Sequence, residues 1–335
     1  MGAAITIMFH SIFNCHLRNS LYLCKLNNNK WIMKPFVKWA GGKTKLLKGI
    51  EQRLPVGFDE WKDVTYVEPF VGGGAVLFHM LSKHQNIKHA IINDINQMLM
   101  KAYSFIQQNP DAIVDGFRSL VSEFNKLSSD SSREDFYYRT RKLYNSLPIP
   151  DEQRILFFLF LNKTCFNGLY RENQDGNFNV PFGRYQSISF DEKNIFEVHK
   201  ALQSVLILCG DFDNVFRFIK EGNNFIYIDP PYRPVGKNMN MFTQYDRSGF
   251  KDNDQQRLKD LCNIFGQKGC NIMISNSDSY IDDETSYFEQ LYEGYLIDRI
   301  QVTRTINTYN AKELRPKEVI ITNYETPIIH QPKLF

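Results

Sequence analysis

Short apolar runs and helix-period segments alternate along this chain in two blocks. In the first, "VTYVEPF" reads as a strand, Ala75 to Lys83 as a helix, "KHAIIND" as a second strand and Asn96 to Gln108 as a second helix, which together make a βαβα unit. In the second, "SVLILCGD", "NFIYIDPP", "CNIMISNS", "YLIDRIQVTR" and "KEVIITNY" are short apolar runs with helical stretches between most of them, notably Asp254 to Gln267. Such alternation predicts a largely parallel sheet with helices on both faces, finished by an antiparallel pair at the C-terminus.

Between the blocks, Asp111 to Leu161 is helical in pattern, polar, and rich in Tyr, Phe and Arg. It runs into "FNGLYRENQDGNFNVPFGRY", where the Asp175-Gly176 pair signals a two-residue hairpin turn. The pattern therefore divides into an N-terminal extension (1–32), a first α/β part (33–105), an insertion (106–185) and a second α/β part of the same domain (186–335). The extension is expected to be dispensable: "MGAAITIMFHSIFNCHLRNS" has a short apolar stretch interrupted by His10 and no basic segment before it, which argues against a secretory signal. "MGAAIT" also fits a myristoylation pattern, one short enough to recur by chance.

Composition narrows the function classes. The balance of 40 Lys and Arg against 37 Asp and Glu leaves a formal net charge of +3, so any surface for a polyanion must be local. No apolar run reaches the roughly 20 residues that span a bilayer. Six cysteines without C-x-x-C spacing, and seven scattered histidines, indicate neither a zinc site nor a disulfide framework. A reducing cytoplasm fits best, and no metal is expected.

Ligands of an open doubly wound sheet bind beyond the carboxyl ends of its strands, and four clusters fall there. "EPFVGGGAV" carries a strand from Phe70 into Gly72, Gly73 and Gly74, which let the backbone approach a ligand and allow positive φ. Asp94 closes the next strand, about 20 residues on, where such folds place an acid on ribose hydroxyls; capping the following helix is the plainer role. "FVKWAGGKTKLL" sets Gly41 and Gly42 between Trp39 and Lys43, able to hold an anion or simply to turn before a helix.

The fourth cluster is Asp229-Pro230-Pro231-Tyr232 at the end of "NFIYI". An exocyclic adenine amine is a poor nucleophile because its lone pair is delocalised into the ring. Two acceptors pulling on its hydrogens favour the pyramidal form that can attack. The Asp229 carboxylate supplies one and the Pro230 carbonyl a second, proline also removing N–H groups from a site that needs acceptors. Tyr232 offers a flat face for an extruded base. A D-P-P sequence by itself is also an ordinary strand-ending turn.

Taken in order, "FVKWAGGK", "EPFVGGGAV", "NDIN", "FNGLYR", "FNVPFGRY", "GDF", "DPPY", "SNS" and "IITNY" resemble the motifs of the Dam-type (alpha group) N6-adenine-specific DNA methyltransferases, over nearly everything from Met33 to Tyr324. The resemblance implies a Rossmann-like methyltransferase sheet, doubly wound and mostly parallel, with a helical and hairpin DNA-recognition insertion. It implies S-adenosylmethionine as cofactor, held by Trp39, Gly41 and Lys43 near its methionine part, by Phe70, Gly72 and Gly74, by Asp94 at the ribose, and by Asp211 and Phe212 around the adenine. Asp229 would lie between cofactor and target amine, with Pro230 and Tyr232 completing the catalytic set.

For double-stranded DNA the resemblance points to the 166–185 segment. Arg171, Asn173 and Gln174 could meet base edges, Arg favouring guanine and Asn or Gln adenine. Lys163, Arg184, Arg139 and Arg141 could position phosphates, unless they merely solvate the surface; Asn167 and Tyr185 are expected among the DNA-binding residues. Enzymes of this type that methylate GATC often carry a basic residue where Asp175 stands, so GATC is the leading expectation with that position against it. A monomer is expected, acting alone or beside a restriction endonuclease. Two rivals stand further off: a nicotinamide-dependent oxidoreductase, for which "GGGAVL" lacks the full dinucleotide pattern, and a DNA-binding protein with a disabled site, which would not need an intact "DPPY".

Overall fold

Five parallel strands set the frame: β1 (Val64–Glu68), β2 (Ile87–Asp94), β3 (Val205–Cys209), β4 (Asn224–Ile228) and β5 (Asn271–Ser277). They run parallel in the order β3-β2-β1-β4-β5, and β7 (Lys317–Thr322) enters antiparallel between β5 and β6 (Leu296–Gln301). The computed structural model describes residues 32–149, 151–233, 250–280, 285–301 and 317–327. The expected extension, apart from Ile32, lies outside these residues, as do Arg304, Lys312 and Arg315, through which the polar segment "RTINTYNAKELRPKE" could touch DNA unless it is an ordinary connection between strands.

Every position of β4 is buried, the mark of a central strand covered on both faces. The chain winds outward from β1 to β2 and β3, then returns to place β4 on the other side of β1. That reversal opens a crevice beyond the carboxyl ends of β1 and β4, where an α/β sheet binds its ligands. The fold is α/β, a Rossmann-like seven-stranded sheet, mostly parallel with an antiparallel pair.

Helices α1 (Leu47–Glu51), α2 (Ala75–Lys83), α3 (Gln97–Gln108), α4 (Pro110–Asn125), α5 (Asp130–Ser146), α6 (Glu152–Thr164), α7 (Glu192–Leu202), α8 (Asp252–Gln267) and α9 (Tyr287–Leu291) surround the sheet, with short 3-10 helices at Phe58–Glu60, Phe166–Gly168 and Phe212–Arg217. Their starts follow local chemistry. Asn96, Ser129, Asp151 and Asp191 each accept a bond from a backbone N–H of the first turn, and Pro110 opens α4 where its missing N–H costs nothing. Helix α8 begins two residues before the expected Asp254, because that carboxylate reaches back to the Lys251 N–H at 3.0 Å. Among the described residues no helix is long and apolar enough to cross a membrane.

Helix α6 is apolar on nearly every side, since it is enclosed by α3, α4 and α5. One continuous core therefore joins Tyr66, Phe78 and Tyr103 of the first α/β part to Phe117, Phe124, Phe160 and Phe182 of the segment after it. The other face of the sheet has its own cluster, including Val67, Ile226, Ile228, Phe265 and Phe288.

The hairpin tip differs from the expected two-residue turn. Asn173 N–H donates to the Asn177 carbonyl at 2.8 Å, and the Asn173 side-chain oxygen accepts from the N–H groups of Asp175 (3.0 Å) and Asn177 (2.9 Å). This side-chain turn spreads the loop over Gln174, Asp175 and Gly176, with Gly176 at φ 78°.

Candidate active site

Side chains two residues apart on a strand share a face, so Tyr227 and Asp229 point the same way from β4 and its extension. Asp229 Oδ1 accepts from Lys43 Nζ at 2.9 Å and from Ser275 Oγ at 3.0 Å, and the Tyr227 hydroxyl lies 2.9 Å from Ser275 Oγ. Asp229 leaves 18% of its side-chain surface open. Burial pushes its pKa above the usual carboxylate range, while Lys43 and Ser275 pull the other way. Lys43 Nζ also donates to the Gly41 carbonyl and lies 4.3 Å from the centroid of the Tyr232 ring. The Tyr232 hydroxyl donates to Glu318 Oε2 at 3.0 Å, which fixes the ring. After the buried Pro230, the turn is pinned to β5: Arg233 N–H donates to Asn276, and Ser277 Oγ donates to the Arg233 carbonyl at 2.7 Å.

The glycine turn and Asp94 form one unit. Gly72 N–H donates to Asp94 Oδ2 at 3.0 Å, and Asn96 N–H donates to Oδ1 at 2.9 Å. Asn96, not Asp94, caps the following helix, accepting from Leu99 N–H. Burial raises the pKa of Asp94, and the backbone bonds lower it. Gly74 sits at φ 76° beneath Tyr103, whose hydroxyl would stand 2.4 Å from any Cβ there and itself donates to the Gly72 carbonyl. A Cβ on Gly72 would meet the Trp39 ring at 2.9 Å. On the β3 side, Phe70 and the buried Phe212 stack with centroids 5.4 Å apart and Phe250 meets both edge-on. The exposed Asp211 pairs with Arg257, whose guanidinium lies 4.4 Å over the Phe212 ring. The crevice thus holds glycines that admit close approach, apolar rings and two acids, a set suited to a cationic nucleoside such as S-adenosylmethionine.

The surface residues separate into braced and outward-facing ones. Asn173 is spent on the loop tip, and Arg141 donates to the Val180 carbonyl at 3.1 Å with its guanidinium over Tyr138. Arg171 is exposed yet oriented by Asn179, its Nε donating to Asn179 Oδ1 at 2.7 Å. Gln174, Asn167, Arg139 and Arg184 are exposed, Asn167 and Arg184 holding positive φ values of 54° and 58°. Burial lowers the pKa of the half-buried Lys163, and the nearby Lys38 adds to the effect.

The family model of the D12 class N6 adenine-specific DNA methyltransferases matches residues 39–306. The chain belongs to that family. It is 42% identical over 296 residues to the Type II methyltransferase M.MjaIII of Methanocaldococcus jannaschii, covering 87% of this chain and 99% of the relative. It is 35% identical to the DNA adenine methylase of Haemophilus influenzae (86% and 92% covered) and 32% identical to the Type II methyltransferase M1.LlaDCHI of Lactococcus lactis subsp. cremoris (89% and 98%). It is accordingly an adenine-specific DNA methyltransferase, and the oxidoreductase alternative falls away.

Within this D12 class member, contacts between distant segments add residues that motif reading did not single out. Lys38 Nζ donates to the Tyr185 hydroxyl at 2.9 Å, and the Lys38 backbone is clamped by Asn162, which accepts from its N–H and donates to its carbonyl at 2.8 Å each. Phe166 leaves 51% of its surface exposed beside Asn167. Ser275 and Glu318 hold the catalytic candidates from neighbouring strands. Lys38, Phe166 and Ser275 lie within "FVKWAGGK", "FNGLYR" and "SNS", whereas Asn162 and Glu318 lie outside the motifs that carry the resemblance.

Proposed function

We propose that this enzyme methylates N6 of an adenine turned out of double-stranded DNA, with Asp229 as the acceptor that receives the amine. The observation that carries this is the carboxylate at the end of β4, partly open, gripped on Oδ1 and flanked by the fixed ring of Tyr232. Asp229 accepts one amine hydrogen and the Pro230 carbonyl the other, concentrating the lone pair on nitrogen. The ionised carboxylate then stabilises positive charge developing there. Tyr232 stacks on the extruded base, offsetting part of the few kcal/mol that extrusion costs.

Trp39, Gly41, Lys43, Phe70, Gly72, Gly74, Asp94, Asp211 and Phe212 would hold S-adenosylmethionine along the crevice. When bound, it supplies a methyl group already activated on a sulfonium. What the chain contributes is placement, since two reactants held in line gain much of their acceleration from orientation alone. Lys43 also holds Oδ1 of the Asp229 carboxylate at 2.9 Å, so the amine and Lys43 share Asp229.

DNA would lie across the 166–185 loop. Arg171 and Gln174 face outward to base edges, with Asn167; Arg184, Arg139 and Lys163 neutralise phosphates, and Tyr185 supports Lys38. GATC is the proposed recognition sequence, with the acid Asp175 at the exposed tip the feature that sets this loop apart. Relatives named Type II methyltransferase and DNA adenine methylase both stand close to this chain, so pairing with a restriction endonuclease is one of two settings.

Incubation with duplex DNA and methyl-labelled S-adenosylmethionine should place label on adenine N6, and sequencing of methylated positions should return GATC. Label on cytosine or on protein would overturn the activity. A different methylated motif would overturn the recognition sequence alone.

A further inference from the structure

Two buried hydroxyls stand behind the catalytic carboxylate without an assigned role. Ser275 and Tyr227 are both fully buried. The register pairs Tyr227 with Met273 and Ile228 with Ile274, so Ser275 is the β5 residue beside Asp229. An ionised carboxylate only accepts, and a serine hydroxyl has one hydrogen to give. Ser275 spends that hydrogen on Asp229 Oδ1 at 3.0 Å, so in the 2.9 Å contact between Tyr227 and Ser275 the phenol must be the donor. The bonds thus run in one direction, from Tyr227 to Ser275 to Asp229. With Lys43 they load Oδ1 with two donors, whereas Oδ2 has no hydrogen-bond partner among the described residues.

We propose that Tyr227 and Ser275 are positioning residues for methyl transfer: their relay locks the rotation of the Asp229 carboxylate and leaves Oδ2 as the oxygen that meets the target amine. The inference rests on Asp229 being the amine acceptor. The polarised serine also favours the ionised form of Asp229, opposing the burial that favours the neutral one. The groups that face this carboxylate are Lys43 from the N-terminal segment, Glu68 and Tyr66 on β1, Tyr227 on β4, Tyr232 in the turn and Glu318 on β7. Glu68 is buried and accepts from the Tyr66 hydroxyl at 2.7 Å, and burial raises its pKa well above the usual carboxylate range.

The test is a mutant cycle read by pH profile. Ser275→Ala should lower kcat about tenfold, the scale of one hydrogen bond to a charged group, with KM for DNA and cofactor unchanged. The acid limb of its kcat/KM profile should move to higher pH, because the ionised acid has lost a donor. Tyr227→Phe should shift the limb in the same direction and less far. In the Ser275→Ala background Tyr227→Phe should add nothing, since the phenol acts only through the serine, and Ser275→Thr should restore the limb. An unmoved limb in Ser275→Ala, or full additivity of the two changes, would overturn the relay. Should Ser275→Ala fail to fold, Tyr227→Phe alone decides by whether its limb moves. Asp229→Asn separates the layers: an active Asp229→Asn enzyme refutes the acceptor role itself, whereas an inactive one beside unmoved limbs refutes only the relay.

Discussion

The end of β4, the proposed catalytic site, and the tip of the 166–185 loop, the proposed DNA-reading surface, are built in opposite ways. At the strand end Asp229 and Tyr232 are held from distant segments: Asp229 by Ser275 of β5 and by Lys43, Tyr232 by Glu318 of β7. At the loop the bonds are local, Arg171 to Asn179 and Asn173 to its own turn, and the outward faces stay wet. Chemistry needs a group fixed in a desolvated place, where a small displacement costs much of the rate. Reading a duplex needs side chains that stand in solvent until DNA arrives, and local bracing limits how much freedom they then lose.

Removing the carboxylate is the sharpest way to break the first half while sparing the second. Asp229→Asn keeps size and burial but loses the charge, and should lower kcat about a thousandfold or more, with DNA affinity in a filter or fluorescence titration unchanged. Retained turnover, or equal loss of binding, would erase the distinction between the two regions. In the native enzyme the acid limb of kcat/KM should lie above the ordinary carboxylate range: burial raises the pKa of Asp229, and as pH falls through that raised value the group takes a proton and can no longer accept the amine.

Glycine supplies a matched pair, one in each region. Gly74 and Gly176 both hold positive φ, at 76° and 78°. A Cβ at Gly74 would stand 2.4 Å from the Tyr103 hydroxyl and 2.8 Å from the Phe78 ring, whereas at Gly176 it would meet nothing within 4 Å. Gly74→Ala should therefore cost about 3 kcal/mol in urea unfolding, strain and overpacking together, and Gly176→Ala about 1 kcal/mol from backbone strain alone. Equal costs would mean that the crevice is looser than its contacts show.

The two regions also differ in how far the sequence discloses them. Strand ends are legible because an apolar run must stop, and the residues just beyond it stand at the sheet edge: Phe70 to Gly74, Asp94 and Asp229 are placed by that rule alone. The partners that tune them are not, because Lys43 and Ser275 reach the Asp229 carboxylate, and Glu318 the Tyr232 hydroxyl, from segments distant in the chain that only the fold brings together. At the loop, residue type cannot distinguish an arginine that faces out from one turned inward. Arg141 bonds to the Val180 carbonyl, and Asn173 is consumed by its turn. Nor can the insertion's polar pattern show that α6 shares its core with the sheet, since that depends on the helices enclosing it.

Arg171 tests the second half. Arg171→Ala should weaken binding to the preferred sequence by about 2 kcal/mol while leaving non-specific affinity and kcat nearly intact, relaxing the choice at one base pair. Arg184→Ala should instead weaken all sequences alike and reduce the slope of log affinity against log salt by about one, the mark of a lost phosphate contact. If both variants behaved like Arg184→Ala, the loop would position the duplex without reading it.

The smallest effect concerns what holds the two halves together. Arg118 of α4 makes two bonds to the Glu192 carboxylate at the start of α7, at 2.7 and 2.8 Å, tying α4 to α7 at the surface. Both side chains are more than a third exposed, so solvent screens the pair despite its geometry. Beneath it runs the shared core from Tyr66 through Phe160 to Phe182, whose apolar contacts outweigh any single exposed ion pair. Arg118→Ala should cost less than about 1 kcal/mol, less still at high salt, and thermal unfolding should keep the same number of transitions. A larger loss, or a new early transition confined to α4 through α6, would show that the recognition half is clipped on from outside instead of rooted in the core that carries the active site.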